Sequence, residues 1–186
     1  MKPPAWTVLL FLLGDVAGAS AAARARPAAR PAASDPSGPD VSAAYSFLRA
    51  GEAHLHGADV SASFRFRPRW RLLGDLSLHS GSFAGTHLKQ TNFMAGARRL
   101  FSPGRHWQPF AQVMLGGAHS TSTFEGSEVL ISSQTSWGGT VGLGTDYRLS
   151  PHWAIRGQGD YLILHSSAGW DGDPRLSLGL AYRFPR

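Results

Sequence analysis

Alternation of apolar and polar residues, repeated segment after segment, is the feature that most narrows what this chain can become. It is cleanest over His152–Leu164. There Trp153, Ile155, Gly157, Gly159, Tyr161 and Ile163 fall on one side of an extended strand, and Arg156, Gln158 and Asp160 fall on the other. A period of two marks a β-strand. The polar side mixes charge with an amide, while the apolar side begins at Trp153 and carries Tyr161 near its far end. An aromatic at each end of an apolar stripe is the pattern of a strand that crosses lipid.

The same alternation recurs along the chain. Val41–Ala50 sets Ala43, Tyr45 and Phe47 against Ser42, Ala44 and Ser46. Ala58–Arg67 sets Val60, Ala62, Phe64 and Phe66 against Ser61, Ser63, Arg65 and Arg67, and Trp70–His79 sets Leu72, Gly74, Leu76 and Leu78 against Leu73, Asp75, Ser77 and His79. His87–Phe101 is a strand whose phase is open, since neither side is cleanly apolar. Trp107–Ala118 places Ala111, Val113 and Leu115 opposite Phe110, Gln112 and Met114. Thr135–Leu149 places Trp137, Val141, Leu143, Tyr147 and Leu149 opposite Ser136, Thr140, Asp146 and Arg148. The last, Arg175–Phe184, sets Leu176, Leu178, Leu180, Tyr182 and Phe184 against Arg175, Ser177, Ala181 and Arg183. With His152–Leu164 the strands number eight.

The joints between them give a second signal. Those after the second, fourth and sixth strands read as tight turns, at Pro68-Arg69, Ser102–Arg105 and Ser150-Pro151. The others read as longer polar loops, such as His119–Ser133 and Ser166–Pro174. Short turns at one end and long loops at the other fit a membrane barrel, and Trp70, Trp107 and Trp153 close behind the tight turns would form an interface girdle. After the leader no apolar run approaches the roughly 20 residues a spanning helix needs. A closed barrel is the remaining way for a backbone to satisfy itself in lipid. Ahead of the strands, Lys2, the apolar run Trp6–Leu13 and Ala19-Ser20-Ala21 read as a signal peptide over residues 1–21. Residues 22–40, rich in Ala, Pro and Arg, read as a disordered lead-in, and residues 41–186 as the barrel.

Composition excludes several classes. The chain has 186 residues, enough for one domain, and no Cys, so it has neither a disulfide scaffold nor a thiolate metal site. Net charge is +6, carried almost wholly by Arg, with Lys only at Lys2 and Lys89. The arginines are spread through the alternating segments and are not gathered on one face, apart from Arg65 to Arg71, so no nucleic-acid partner is expected.

Val41-Ser-Ala-Ala-Tyr-Ser-Phe-Leu-Arg49, Leu73-Gly-Asp-Leu-Ser77, Pro109–Ala118, Trp153-Ala-Ile-Arg156 with Asp160-Tyr161, and Leu178-Gly-Leu-Ala-Tyr-Arg-Phe184 carry a resemblance in their order and spacing. The region Val41–Phe184 resembles the outer-membrane β-barrel domain family, small barrels similar to the transmembrane domain of outer-membrane protein A. The resemblance implies an eight-stranded antiparallel up-and-down transmembrane β-barrel in the outer membrane, with outer-membrane lipid and the barrel-assembly machinery as partners. Such barrels often end on an aromatic that the assembly machinery recognises. Here the chain runs on to Pro185 and Arg186, leaving Tyr182 and Phe184 as the candidates.

With the apolar sides in lipid, the interior receives Arg65, Arg67, Asp75, Gln112, Asp146, Arg148, Arg156, Gln158, Asp160, Arg175 and Arg183. An eight-stranded barrel is only wide enough for side chains to fill it, so these charges are expected to pair into a plug. On this list the aspartates are too few to neutralise every arginine, and a gated pore is the sharper alternative. Six histidines, His54, His56, His79, His87, His119 and His165, fall near the long-loop end, but only His54-x-His56 has close spacing, so no metal or other cofactor is expected. A lipid hydrolase would need a Ser, a His and an acid together; His165 with Ser167 and Asp171 or Asp173 is the best set, His79-Ser80 and His119-Ser120 weaker ones. A soluble lipocalin-like barrel would instead turn the aliphatic sides inward. The expectation is a non-enzymatic, monomeric membrane barrel with a structural or surface-interaction role.

Overall fold

The computed structural model describes residues 38–83, 85–102, 106–124, 130–167 and 169–185. The signal peptide and lead-in read over residues 1–37 lie outside the described residues. Eight strands follow in order: β1 (Asp40–Ala50), β2 (Ala53–Arg67), β3 (Trp70–Phe83), β4 (Thr86–Leu100), β5 (Trp107–Phe124), β6 (Leu130–Arg148), β7 (Trp153–Ser166) and β8 (Gly169–Arg183). Each pairs antiparallel with the next, and β1 pairs with β8 to close the barrel. Closure leaves no open edge, so every strand has a neighbour on both sides for its backbone groups.

The alternation sorts as a barrel wall requires. Tyr45, Val60, Phe64, Leu76, Leu78, Phe93, Leu115, Leu143, Leu176 and Leu178 are exposed on the outside. The side chains between them are buried inside: Ser46, Ser61, Asp75, Ser77, Asn92, Gln112, Asp146, Arg156 and Ser177. A soluble calyx would show the reverse. β4, whose phase the sequence leaves open, turns Gln90, Asn92, Met94 and Arg98 inward and Phe93 and Ala95 outward. The phase follows from its neighbours, since paired residues share a face: Arg98 stands opposite Gln112 and Met94 opposite Asp75.

Three boundaries differ from the sequence reading. The sheet starts at Asp40, which pairs with Ser63 and Arg183, so this residue belongs to the wall and not to the lead-in. The joints after β1 and β3 are short: Gly51 and Glu52 fill the first, with Gly51 at φ 58°, and Gly85 at φ 76° closes the second. Most of the polar stretches His119–Ser133 and Ser166–Pro174 is not loop but paired strand, with His119 opposite Thr135, Ser122 opposite Ser132, and Tyr161 opposite Pro174. Backbone pairing continues past the level where one face must be apolar, and only the alternation stops there.

Candidate functional site: the filled interior and its aromatic rims

The end where the chain enters and leaves is here the terminal end, the other the distal end. Interior polar side chains form two linked clusters. Near the terminal end, Arg156 grips Asp146 through two bonds, Nε to Oδ1 at 2.8 Å and Nη2 to Oδ2 at 3.0 Å, and reaches Asp40 at 3.4 Å. Arg71 donates to the other oxygen of Asp40, which also accepts from Ser63 Oγ at 2.9 Å. Arg183 donates to Asp146 Oδ2 at 2.7 Å and to Gln108 Oε1 at 2.6 Å. Arg98 lies 4.3 Å over the ring of Phe110 and donates to Gln112 Oε1 through two nitrogens.

Gln112 is the hinge between clusters, because its amide nitrogen donates to Asp160 Oδ1 at 2.8 Å. In the second cluster one guanidinium serves three carboxylates. Arg175 lies 2.9 Å from Asp160, 3.0 Å from Asp75 and 3.3 Å from Asp59, and its Nη1 donates to Ser77 Oγ at 3.0 Å. Beside this cluster and toward the distal end, Leu48, Ala53, Leu55, Leu162 and Leu164 pack with Met94, Met114 and Ala118, next to the buried polar set Ser46, His79, Gln90 and Asn92.

Of the residues the sequence assigns to the interior, Asp75, Asp146, Arg156, Asp160, Arg175 and Arg183 are buried and joined in these clusters. Arg65 and Arg148 are half-buried. Arg67 is the correction: it is exposed, because the β2–β3 register shifts between Arg65 and Arg67 where the strand runs into its turn. Asp40, Asp59, Arg71 and Arg98 are members the sequence list lacks. Asp59 shares the parity of Ser61, Ser63 and Arg65, and Arg71 that of Leu73 and Asp75, so parity alone would have placed both inside. The shortage of acid disappears with them: among the described residues, buried Arg71, Arg98, Arg156, Arg175 and Arg183 stand against six buried aspartates, Asp40, Asp59, Asp75, Asp146, Asp160 and Asp173.

Room for this filling is made by β6. A Cβ built on Gly142 would stand 1.9 Å from Asp160 Oδ1, and one on Gly144 would stand 2.4 Å from the Phe110 ring. Gly142→Ala should therefore push Asp160 off Arg175 and Gln112, lowering stability by about 1–3 kcal/mol. Urea titration of the folded barrel in detergent would measure it; an unchanged midpoint would mean that Asp160 can move aside without loss.

Outside, aromatics collect at both rims. Trp107 packs on Tyr147 and Trp153 on Tyr182, each with centroids 4.9 Å apart, and half-buried Trp70 lies beneath the Arg99 guanidinium at 5.7 Å. At the distal rim Trp137 and Trp170 meet edge-on at 5.6 Å, and Phe47 lies between His54 and His56. Trp137 and Tyr147 are ten residues apart on β6. At ~3.4 Å per residue and a tilt of ~40°, that is roughly 26 Å along the axis, close to the ~25 Å apolar band of membrane barrels.

The hydrolase residues do not assemble. His165 is held between Trp137 and Trp170, Ser167 Oγ accepts from Gln134 Nε2 at 3.3 Å, and Asp173 accepts from the Gly51 backbone N–H. His79 is buried inside, bonded to Ser46 Oγ at 2.9 Å, while Ser80 on the next position is exposed. His119 Nδ1 pairs with Thr135 Oγ1 across the strand pair, at 3.0 Å. Among the described residues no three His, Cys, Asp or Glu side chains are grouped as a metal would require.

Comparison with known proteins agrees with the architecture. Neisserial surface protein A aligns with a TM-score of 0.64 at 20% identity, over 78% of this chain and 96% of that one. OprG of Pseudomonas aeruginosa aligns at 0.57 and 14%, over 81% and 97%. Ail, the attachment invasion locus protein of Yersinia pestis, aligns at 0.55 and 17%, over 79% and 97%. No curated protein sequence matches. The profile of the outer membrane protein beta-barrel domain matches residues 11–184, nearly the whole chain, and the chain belongs to that family of transmembrane barrels.

Proposed function

We propose that this protein is a structural and surface-interacting barrel of the outer membrane, closed along its axis, without catalytic activity of its own. The observation that carries the reading is the filled interior. The Arg/Asp clusters run from the terminal end to mid-barrel, and the Leu/Met cluster packs beside the second of them, where Leu48 pairs with Arg175 and Met94 with Asp75, and extends beyond it. Ion passage would require breaking buried charge pairs and then wetting an apolar plug. What remains for function is the outer surface and the distal rim, where paired strands project beyond the apolar band. Fold-level analogy points the same way, since one barrel of this fold is by its description an attachment invasion locus protein.

The proposal includes export by the leader over residues 1–21, insertion by the barrel-assembly machinery with Tyr182 and Phe184 as the terminal aromatic signal, and a monomeric state, since the sheet closes on itself. The test is to fold the chain into lipid vesicles and into plain buffer. A β-rich species that forms only with lipid, changes gel mobility on boiling and gives no single-channel current is the expected result. Discrete conductance steps would overturn the closed interior; folding in plain buffer would overturn the membrane reading.

A further inference from the structure

The two rims are both basic, but with different chemistry. At the terminal rim it is mostly guanidinium, on exposed Arg67 and Arg69 and half-buried Arg99, with His106 and His152 as the imidazoles of that end. At the distal rim it is mostly imidazole. His54 and His56 on β2, His87 on β4, His119 on β5 and His165 on β7 sit on the outward parity of their strands, with Arg49 and Lys89 beside them. Register links them around the barrel: Arg49 pairs with His54, His56 with Ser80, Ser80 with Lys89, and Ser82 with His87. His119 then pairs with Thr135, and Trp137 with His165. Among the described residues, the exposed acids at this end are Glu52 in the first joint and Asp171 on β8.

We propose that this collar binds the phosphate groups of anionic lipid headgroups, and that it binds them more strongly as the pH falls. The collar lies at the level of Trp137 and Trp170, where an interface aromatic meets headgroups. Its imidazoles are built to accept a proton. His56 bonds the Tyr45 hydroxyl, His87 the Ser82 hydroxyl at 3.3 Å, and His119 the Thr135 hydroxyl at 3.0 Å. A hydroxyl donates to a bare ring nitrogen and accepts from a protonated one, so charging the ring costs no hydrogen bond. His165 lies between two indoles, with centroids at 5.4 and 4.7 Å, where an imidazolium gains cation–π attraction. His54 and His56 flank Phe47 in the same way, at 5.6 and 5.3 Å. Imidazole is the side chain whose charge responds to pH between about 5 and 8, whereas a phosphodiester stays anionic throughout, so a surface of imidazoles is the kind whose grip on phosphate can follow pH. Interior His79, bonded to Ser46 and beside Arg175 and Asp75, does not face this surface.

The inference rests on the membrane reading above, and its failure is distinguishable from failure of that reading, because a barrel that folds in lipid but shows no headgroup preference sinks only the collar. The full chain is folded into phosphatidylcholine vesicles. Its tryptophan fluorescence is then quenched by brominated phosphatidylglycerol against brominated phosphatidylcholine, at about pH 8 and about pH 5.5. The preference for phosphatidylglycerol should rise about fivefold or more on acidification, as one or two added surface charges would give. The combined His54→Gln, His56→Gln and His119→Gln variant should keep the high-pH preference and lose most of the rise, His87 and His165 keeping the remainder; Lys89→Gln should lower the preference at both pH values. A pH-independent preference, or a rise that survives the triple substitution undiminished, would overturn the proposal. So would full loss of the preference to inorganic phosphate at matched ionic strength, which would make the collar a free-anion site.

Discussion

Arg175→Met should be the most damaging single change in the interior. Arg175 is fully buried and holds Asp59, Asp75 and Asp160 at 3.3, 3.0 and 2.9 Å. Without it, three carboxylates stand together with no cation of their own, and removing one side of a buried ion pair costs about 3–5 kcal/mol. Methionine fills most of the volume, so the loss reads charge and not a cavity. The urea midpoint of the barrel folded in vesicles should drop accordingly. Adding Asp59→Asn and Asp75→Asn to the same chain should restore much of it, because the amides need no counter-charge. Asp160 then keeps Gln112, which already donates to it. An unchanged midpoint for Arg175→Met alone would mean that the aspartates do not depend on the guanidinium. The second cluster would then be an incidental arrangement and not a stopper.

How far the sequence reaches can be argued from single strands. β7 was legible because lipid outside and charge inside leave no ambiguity between Trp153–Ile163 and Arg156–Asp160. β4 was not, because its inward set contains Met94 and Leu100 and its outward set contains Thr91 and Arg99. Only the partners Asp75 and Gln112 fix its phase, and pairing is not written in a single strand. Asp40 escaped because it follows Pro-Ser-Gly-Pro, a linker-like run, one residue before the alternation begins. Its value lies in two arginines that come from β3 and β7. The distal extensions escaped for a different reason. Period two is imposed by having lipid on one face, so above the bilayer Ser120–Thr123 can be polar throughout and still pair with β6. Arg67 shows the converse error: parity carried it inward past the shift at which the strand had already left its register.

Leu178→Arg tests the outward assignment with the second large effect. Leu178 is 63% exposed on β8, between Trp170 at the distal rim and Tyr182 at the terminal rim, and its cross-strand neighbours are Tyr45 and Gly157. A guanidinium on the lipid face near mid-bilayer costs about 2–4 kcal/mol, whereas near the interface the cost falls to about 0–1. Val41→Arg provides the second depth. Val41 is also outward, but it pairs with Tyr182 at the terminal girdle. The two variants should therefore differ by several-fold in free energy when unfolded from the same vesicles, with Leu178→Arg also lowering the fraction that resists gel mobility change before boiling. The Tyr45 ring, exposed beside Leu178, offers the new cation one favourable contact, which trims the penalty toward the lower figure without removing it. Equal costs at the two sites would mean that the apolar band does not run from Trp137 to Tyr147 as drawn. A Leu178→Arg barrel as stable as the parent would mean that this face meets water, and the leucines of β8 would then need another partner to cover them.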